Sequence, residues 1–281
     1  MAVRIACDSS TDLTREMYES LNVSVLPFTI TLGENVHTDA VDINSEIIFD
    51  YVDKNKVLPK TSAINEYTFN EFFEKNNGED GLVFISISSR ISSSYSNAAR
   101  ASENFKNVHV VDSSSLSTGG GLLVLYACEL RDQGLSAKEI ADKLNERKKN
   151  VQASFVIDKL DYLYKGGRCS SAQRLGANLL KLHPSIVVEN GSMLVHKKYR
   201  GKIEDCTTKY FEDTLNEFSN PDTKYCFITY SSATEKMLMN AKTVVENYGK
   251  FENVYVTKAG ATITSHCGKN TIGLLYFNEA K

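Results

Sequence analysis

Five serines stand within seven positions, at Ser88, Ser89, Ser92, Ser93 and Ser94. They follow an apolar, β-branched run over residues 82–87 that reads as a buried strand, bounded upstream by Gly78, Glu79, Asp80 and Gly81. They precede a stretch from Tyr95 that carries Ala98, Ala99, Ala101 and Phe105, good helix-forming material. A hydroxyl-rich loop between a strand end and a helix start brings unpaired backbone N–H groups to the positive end of a helix dipole. The chemistry of such a place is anion recognition. A purely structural reading stays open, in which one serine caps the helix and the others solvate the loop, although capping needs only one or two.

Other polar residues are weaker one at a time. Thr61 and Ser62, after Pro59, read on their own as a helix cap. Arg168, after Gly166 and Gly167, reads as a ligand or as a surface charge, and His266, two residues before Gly268, as a ligand or as a satisfied core histidine. The chain has no G-x-S-x-G elbow, Walker loop or G-x-G-x-x-G, and no histidine or carboxylate pair at metal spacing. Asp8, Asp12 and Asp112 would meet on a cation only if the fold gathered them, which is not expected. The formal net charge of −3 excludes a global basic field for nucleic acid. No run approaches the roughly 20 apolar residues of a membrane span. The first ten residues read as a strand rather than a signal peptide. Six scattered cysteines, none in C-x-x-C, suggest a reducing cytoplasm without structural disulfides, and neither metal nor cofactor is expected.

The elements that must carry these residues alternate. Strands are expected over 3–7, 26–31, 82–87 and 108–111, and helices from about Thr14, around Ile47, Ile48, Tyr51 and Val52, over 67–75, and from Tyr95. Residues 58–62 break the helix before them. The strands at 3–7 and 108–111 both run into Asp-Ser-Ser and the strand at 82–87 into the serine loop, which suggests loops gathered on one edge of a parallel sheet, where open α/β sheets bind ligands. After Ser117 come Gly119, Gly120 and Gly121, read either as close backbone approach or as a flexible loop before a helix starting at Leu122. Residues 1–150 thus read as a doubly wound α/β domain with helices on both faces of a parallel sheet. Residues 151–281 read as an α+β domain with a mixed sheet. It has helices over 172–182, 207–218 and 233–247, a hairpin joined at Asn190 and Gly191, and strands over 225–230, 254–257 and 271–277.

Taken together and in order, the motifs resemble the DegV family, the bacterial fatty-acid-binding proteins that serve a fatty acid kinase. The matching pieces are Asp8 to Leu13, Lys60-Thr61-Ser62, the run from Ile87 to Tyr95, and Val111-Asp112-Ser113 with Ser117 and the glycines to Gly121. They continue with Leu163 to Arg168, Tyr199-Arg200-Gly201, and His266 with Gly268. The resemblance implies two domains with one long-chain fatty acid in a tunnel between them. It implies that Thr61, Ser92, Arg168 and His266, with Ser62 and Ser93 as neighbours, hold the carboxylate. A separate kinase would phosphorylate that carboxylate, and Arg168 and Arg200 are the expected contacts to it. The chain departs from the family pattern at Ile64, Asn65, Ser93, Cys267, Lys269 and Asn270, near the expected head-group end. The competing enzymatic reading is a serine-dependent acyl hydrolase using Ser92 or Ser93 with His266.

Overall fold

The computed structural model describes residues 3–169 and 182–279. In its first half every residue of β6 (Leu82–Ser86) is buried. A strand covered on both faces must be apolar along its length, and Leu82, Val83, Phe84 and Ile85 meet that demand. β1 (Arg4–Asp8) and β7 (Val108–Asp112) flank it in parallel, and β2 (Val23–Leu26) adds in parallel to β1, giving the order β2-β1-β6-β7. Phe84 meets Phe69 and Phe73 of α3 (Glu66–Asn76) edge-on, with ring centroids 5.3 and 5.6 Å away. α4 (Ser94–Ser102) joins α3 there. The other side is packed by α5 (Thr118–Asp132), on β1 and β6, and by α6 (Ala137–Arg147), on β6 and β7. α1 (Arg15–Ser20), capped by Thr14, lies against β2.

Because β1, β6 and β7 run in parallel, the loops after them share one edge, as the repeated Asp-Ser-Ser pattern suggests. Two of the aspartates tie that edge together. Asp8 accepts from the backbone N–H of Ile87 at 2.7 Å, and Asp112 accepts from the Ser89 hydroxyl at 2.6 Å.

The second half forms a mixed sheet in the order β10-β9-β8-β13-β11-β12. Its strands are β8 (Val151–Val156), β9 (Leu182–Glu189), β10 (Ser192–Arg200), β11 (Pro221–Tyr230), β12 (Asn253–Lys258) and β13 (Ile272–Asn278). Only β11 and β12 pair in parallel. The β9–β10 hairpin turns at Asn190 and Gly191, with φ of 48° and 80°, as a tight turn with two left-handed residues requires. α8 (Ile203–Glu217) packs on β8, β9, β10 and β13, and α9 (Glu235–Tyr248) packs on α8.

α5 touches both sheets, contacting β1 and β6 on one side and β8, β11 and β13 on the other. That position explains the three glycines. They lie inside the helix, not before it, and each is closely approached. A Cβ at Gly119 would lie 3.2 Å from Val151 Cγ1, one at Gly120 3.1 Å from Thr11 Cγ2, and one at Gly121 2.9 Å from the Thr11 carbonyl oxygen.

Three sequence expectations need correction. The single strand expected over 26–31 breaks at Pro27 and Phe28. β2 ends at Leu26 in the parallel sheet, and β3 (Thr29–Leu32) belongs to a separate antiparallel sheet ordered β4-β3-β5, with β4 spanning Asn35–Thr38 and β5 spanning Lys60–Ser62. Proline has no N–H to continue a ladder, so the chain changes sheets there. Residues 60–62 are strand rather than a helix cap, and they stand between the helices at 45–55 and 66–76, where the helix was expected to break. The cap of α3 is Asn65, which accepts from the N–H of Thr68. Finally, Ala261–Cys267 forms a helix, α10, where the sequence suggested only the approach to a strand. The helix expected over 172–182 lies outside the described residues except for Leu182, which opens β9.

Replacing Gly121 with alanine should lower the unfolding free energy by about 1–3 kcal/mol through overpacking against Thr11 and Leu13, although alanine is the better helix former. Urea denaturation checks this; a variant as stable as the parent would show that α5 can shift away.

Candidate functional site

The site is assembled from pieces far apart in the chain. β5 pairs with β3, setting Thr61 opposite Ile30. α10 packs against β3, β5, α2 (Ser45–Asn55) and α7 (Asp161–Gly166), which delivers His266 to the same place. Thr61 Oγ1 and His266 Nε2 are 2.8 Å apart. Behind the ring, a Cβ on Gly166 would lie only 2.7 Å from His266 Nδ1, so the imidazole can rest against backbone only where residue 166 has no side chain. Gly167 closes α7 in the left-handed conformation, with φ of 68°. Arg168 then folds back, Nη1 donating to the Gly166 carbonyl at 2.6 Å, while its side chain stays exposed. Each residue of Gly-Gly-Arg thus has its own physical task.

The serine loop reaches the same cavity through Ser92. Its N–H donates to the Ser88 carbonyl, and its hydroxyl lies 3.0 Å from that of Ser94. Ser94 Oγ accepts from the N–H of Ile64 at 3.1 Å, and Asn97 donates to the Ile64 carbonyl at 2.7 Å. These bonds lock the loop to the chain just after Thr61 and Ser62. Ser88 and Ser89 bond elsewhere, to the Gly191 carbonyl and Asp112.

Thr61, Ser62, Ser92, Arg168 and His266 all line one cavity of about 530 Å³, measured with its open mouth. Phe28, Ile87, Ile91, Leu163 and Met193 supply apolar wall. Leu116, Ile263 and Cys267 line this cavity and also a second one, of about 380 Å³, which reaches Ala153, Phe155 and Leu275 of the mixed sheet. Serine and threonine hydroxyls of the second cavity bond to protein: Ser154 to Tyr210, Ser231 to the Gly268 carbonyl, Thr271 to the Cys267 carbonyl. With its polar atoms occupied in this way, that cavity presents hydrocarbon. The mixed polar and apolar lining suits an amphipathic ligand.

Two expected residues lie apart from the cavity lining. Ser93 is exposed at the N-cap of α4, where its side chain makes no capping bond. Arg200 is exposed at the end of β10, opposite Leu182. Asp8, Asp12 and Asp112 serve separate loops, and among the described residues no group of three or more His, Cys, Asp or Glu is arranged to hold a metal ion. The apolar lining from Phe28, Leu163, Met193, Ile263 and Cys267 was not singled out in the sequence, because no periodicity separates a cavity wall from core.

Burial drives the His266 imidazole down to about 4, and the Arg168 cation nearby adds to the shift. The ring is therefore neutral at pH 7. Nδ1 has no hydrogen-bond partner among the described residues. Assigned by hydrogen bonding, the tautomer that leaves a lone pair rather than an N–H without a partner carries its proton on Nε2. Nε2–H then donates to Thr61 Oγ1, and the threonine hydroxyl hydrogen is free to point at an acceptor in the cavity. His266 is thus engaged with Thr61, not with Ser92 or Ser93, and the serine–histidine pair of an acyl hydrolase is not formed.

A family model described as "Uncharacterised protein, DegV family" matches residues 2–279. The chain belongs to the DegV family. A DegV domain-containing protein of Staphylococcus aureus is 32% identical over 98% of both chains. Two solved DegV structures superpose closely on this DegV chain. One, from Thermus thermophilus, is described by its fatty acid binding and has a TM-score of 0.88 at 26% identity, covering 99% of this chain and 100% of its own. The other, from Bacillus subtilis, is described as a fatty acid binding protein and has a TM-score of 0.85 at 25% identity, with the same coverage.

His266 should titrate near pH 4 in an NMR titration, not near 6.5. The folded state holds this proton more weakly than the unfolded chain, so stability is full above pH 6.5 and is lost as pH falls through 4. At about 1.4 kcal/mol per pH unit the loss relative to His266→Gln is on the order of 3 kcal/mol. Parallel pH–stability curves for the two proteins would refute the assignment.

Proposed function

We propose that this chain is a long-chain fatty-acid carrier that buries the acyl tail and presents its carboxylate to a separate fatty acid kinase. The observation that carries the reading is one cavity in which Thr61, Ser92, Arg168 and His266 share a wall with apolar side chains and adjoin a second, apolar cavity. The described fatty acid binding of the Thermus thermophilus and Bacillus subtilis relatives supports it. A carboxylate accepts hydrogen bonds and carries charge, so hydroxyl donors and a guanidinium suit it. Thr61 donates while neutral His266 orients it, Ser92 donates from the serine loop, Arg168 supplies the cation, and Ser62 and Ser93 flank them. Residues 1–150 and 151–281 act as two domains with the acyl chain between them.

Affinity comes from the tail. At about 0.8 kcal/mol per buried CH₂, a long chain contributes on the order of 10 kcal/mol before association costs. The head group sets orientation. Exposed Arg168 and Arg200 belong to the face that meets the kinase, since a partner handling phosphate and carboxylate is matched by cations. The chain itself performs no chemistry, and its place is the cytoplasm. No helix among the described residues is long and apolar enough to cross a membrane.

Native mass spectrometry of freshly purified protein, followed by analysis of extracted lipid, tests the reading. One fatty acid per chain is expected; protein that arrives empty and also refuses added fatty acid rules it out. Thr61→Val should weaken binding of a matched fatty acid by about 0.5–3 kcal/mol while leaving the fold intact, measured by calorimetry.

A further inference from the structure

Asp39 is buried, follows β4, and has no part in the cavity lining. Its bonds run to the start of the helix that carries His266 and to the residue before the strand that pairs with the Thr61 strand. On one side, Oδ1 accepts from the N–H of Ala261 at 2.9 Å and Oδ2 from the N–H of Thr262 at 3.3 Å, at the start of α10. On the other, the Asp39 N–H donates to the Phe28 carbonyl at 2.9 Å, just before β3, the strand that pairs with β5. Ser9 closes the loop: its hydroxyl donates to Asp39 Oδ2 at 2.9 Å and accepts from the N–H of Phe28 at 3.1 Å. Asp12 holds the preceding N–H, of Gly260, at 2.8 Å. A Cβ on Gly260 would stand 3.2 Å from Asp39 Oδ1 and 3.3 Å from Asp12 Oδ1, which is tighter than side chains normally pack.

We propose that Asp39 is a positioning residue for the head-group site: its carboxylate, carried just past the end of β4, ties the start of α10, which bears His266, to the three-stranded sheet, which bears Thr61. The clamp sets the separation of two side chains 205 positions apart in sequence. A seven-residue helix has too few internal bonds to hold its own orientation. Three consecutive N–H groups at its start are held by carboxyl oxygens of Asp12 and Asp39, from the first half of the chain. Ser45 adds a third tether, its hydroxyl donating to the Ala259 carbonyl at 2.9 Å. Asp39 acts only through these elements. What the site binds rests on the fatty-acid reading above; the clamp itself does not.

Two readouts separate the clamp from a merely structural role. The first is the affinity for a saturated fatty acid against the alcohol of the same chain length. Asp39→Ala should reduce the preference for the acid about fivefold or more, the loss of one oriented hydrogen bond, while affinity for the alcohol changes less than twofold. Asp39→Asn, which keeps one acceptor oxygen, should fall between. The second needs no ligand: the NMR titration of His266 should move up toward 6.5 in Asp39→Ala as the ring gains solvent. Ser9→Ala, which removes one link of the clamp, should show the same two changes in smaller measure and serves if Asp39→Ala fails to fold. Equal weakening of acid and alcohol, or a His266 titration unchanged from the parent, would overturn the proposal. Parent protein that binds neither lipid would instead overturn the fatty-acid reading, and the titration would still decide the clamp.

Discussion

A seven-residue helix cannot keep its shape in water, yet α10 carries Ile263, His266 and Cys267 into the cavities. Its order is imposed from outside, by carboxylates at its start, by Ser45 along its side, and by the backbone of Gly166 against the histidine ring. The other features of the site are consequences of that docking. Thr61 has a partner because α10 lies over β5, and the histidine is neutral because the docking buries it.

α5 is the second constraint. A helix between two sheets must be apolar nearly all round and thin where both sheets approach most closely. Leu122 to Leu125 satisfy the first demand, and the glycines at 119–121 the second. The residues just before that thin end, Leu116 and Ser117, line the cavity wall. Close approach of the sheets at the glycines and open space beside them are two sides of one packing arrangement.

Under the proposed reading, strength and orientation belong to different parts of the site. Apolar walls give binding energy that scales with area and has no direction. Hydroxyls and a guanidinium give direction, at modest net energy because their water partners are lost on binding. A neutral imidazole suits this division. It fixes the rotation of the Thr61 hydroxyl without adding a second buried charge, and the cation is left to Arg168, which stays in contact with solvent.

Local physics determined much of this protein directly from the sequence. The strand at 82–87 and the hairpin at Asn190 and Gly191 were legible because each depends on neighbours within a few residues, and the parallel edge and the family were legible because short local motifs, Asp-Ser-Ser among them, recur in a fixed order along the chain. Other features were decided only by tertiary structure. The break at Pro27 that sends β3 into a separate sheet, the strand at Thr61 and the helix at His266 were not legible, since β3 is completed by pairing with the distant β5 and the start of α10 is held by Asp39, 222 positions away. The same holds for Ser92 lining the cavity while Ser93 faces solvent, and for Asp39, an unremarked acid in the chain that holds the start of a distant helix. A hydrogen bond between Thr61 and His266 leaves no periodicity in either segment, so only packing brings the two residues together.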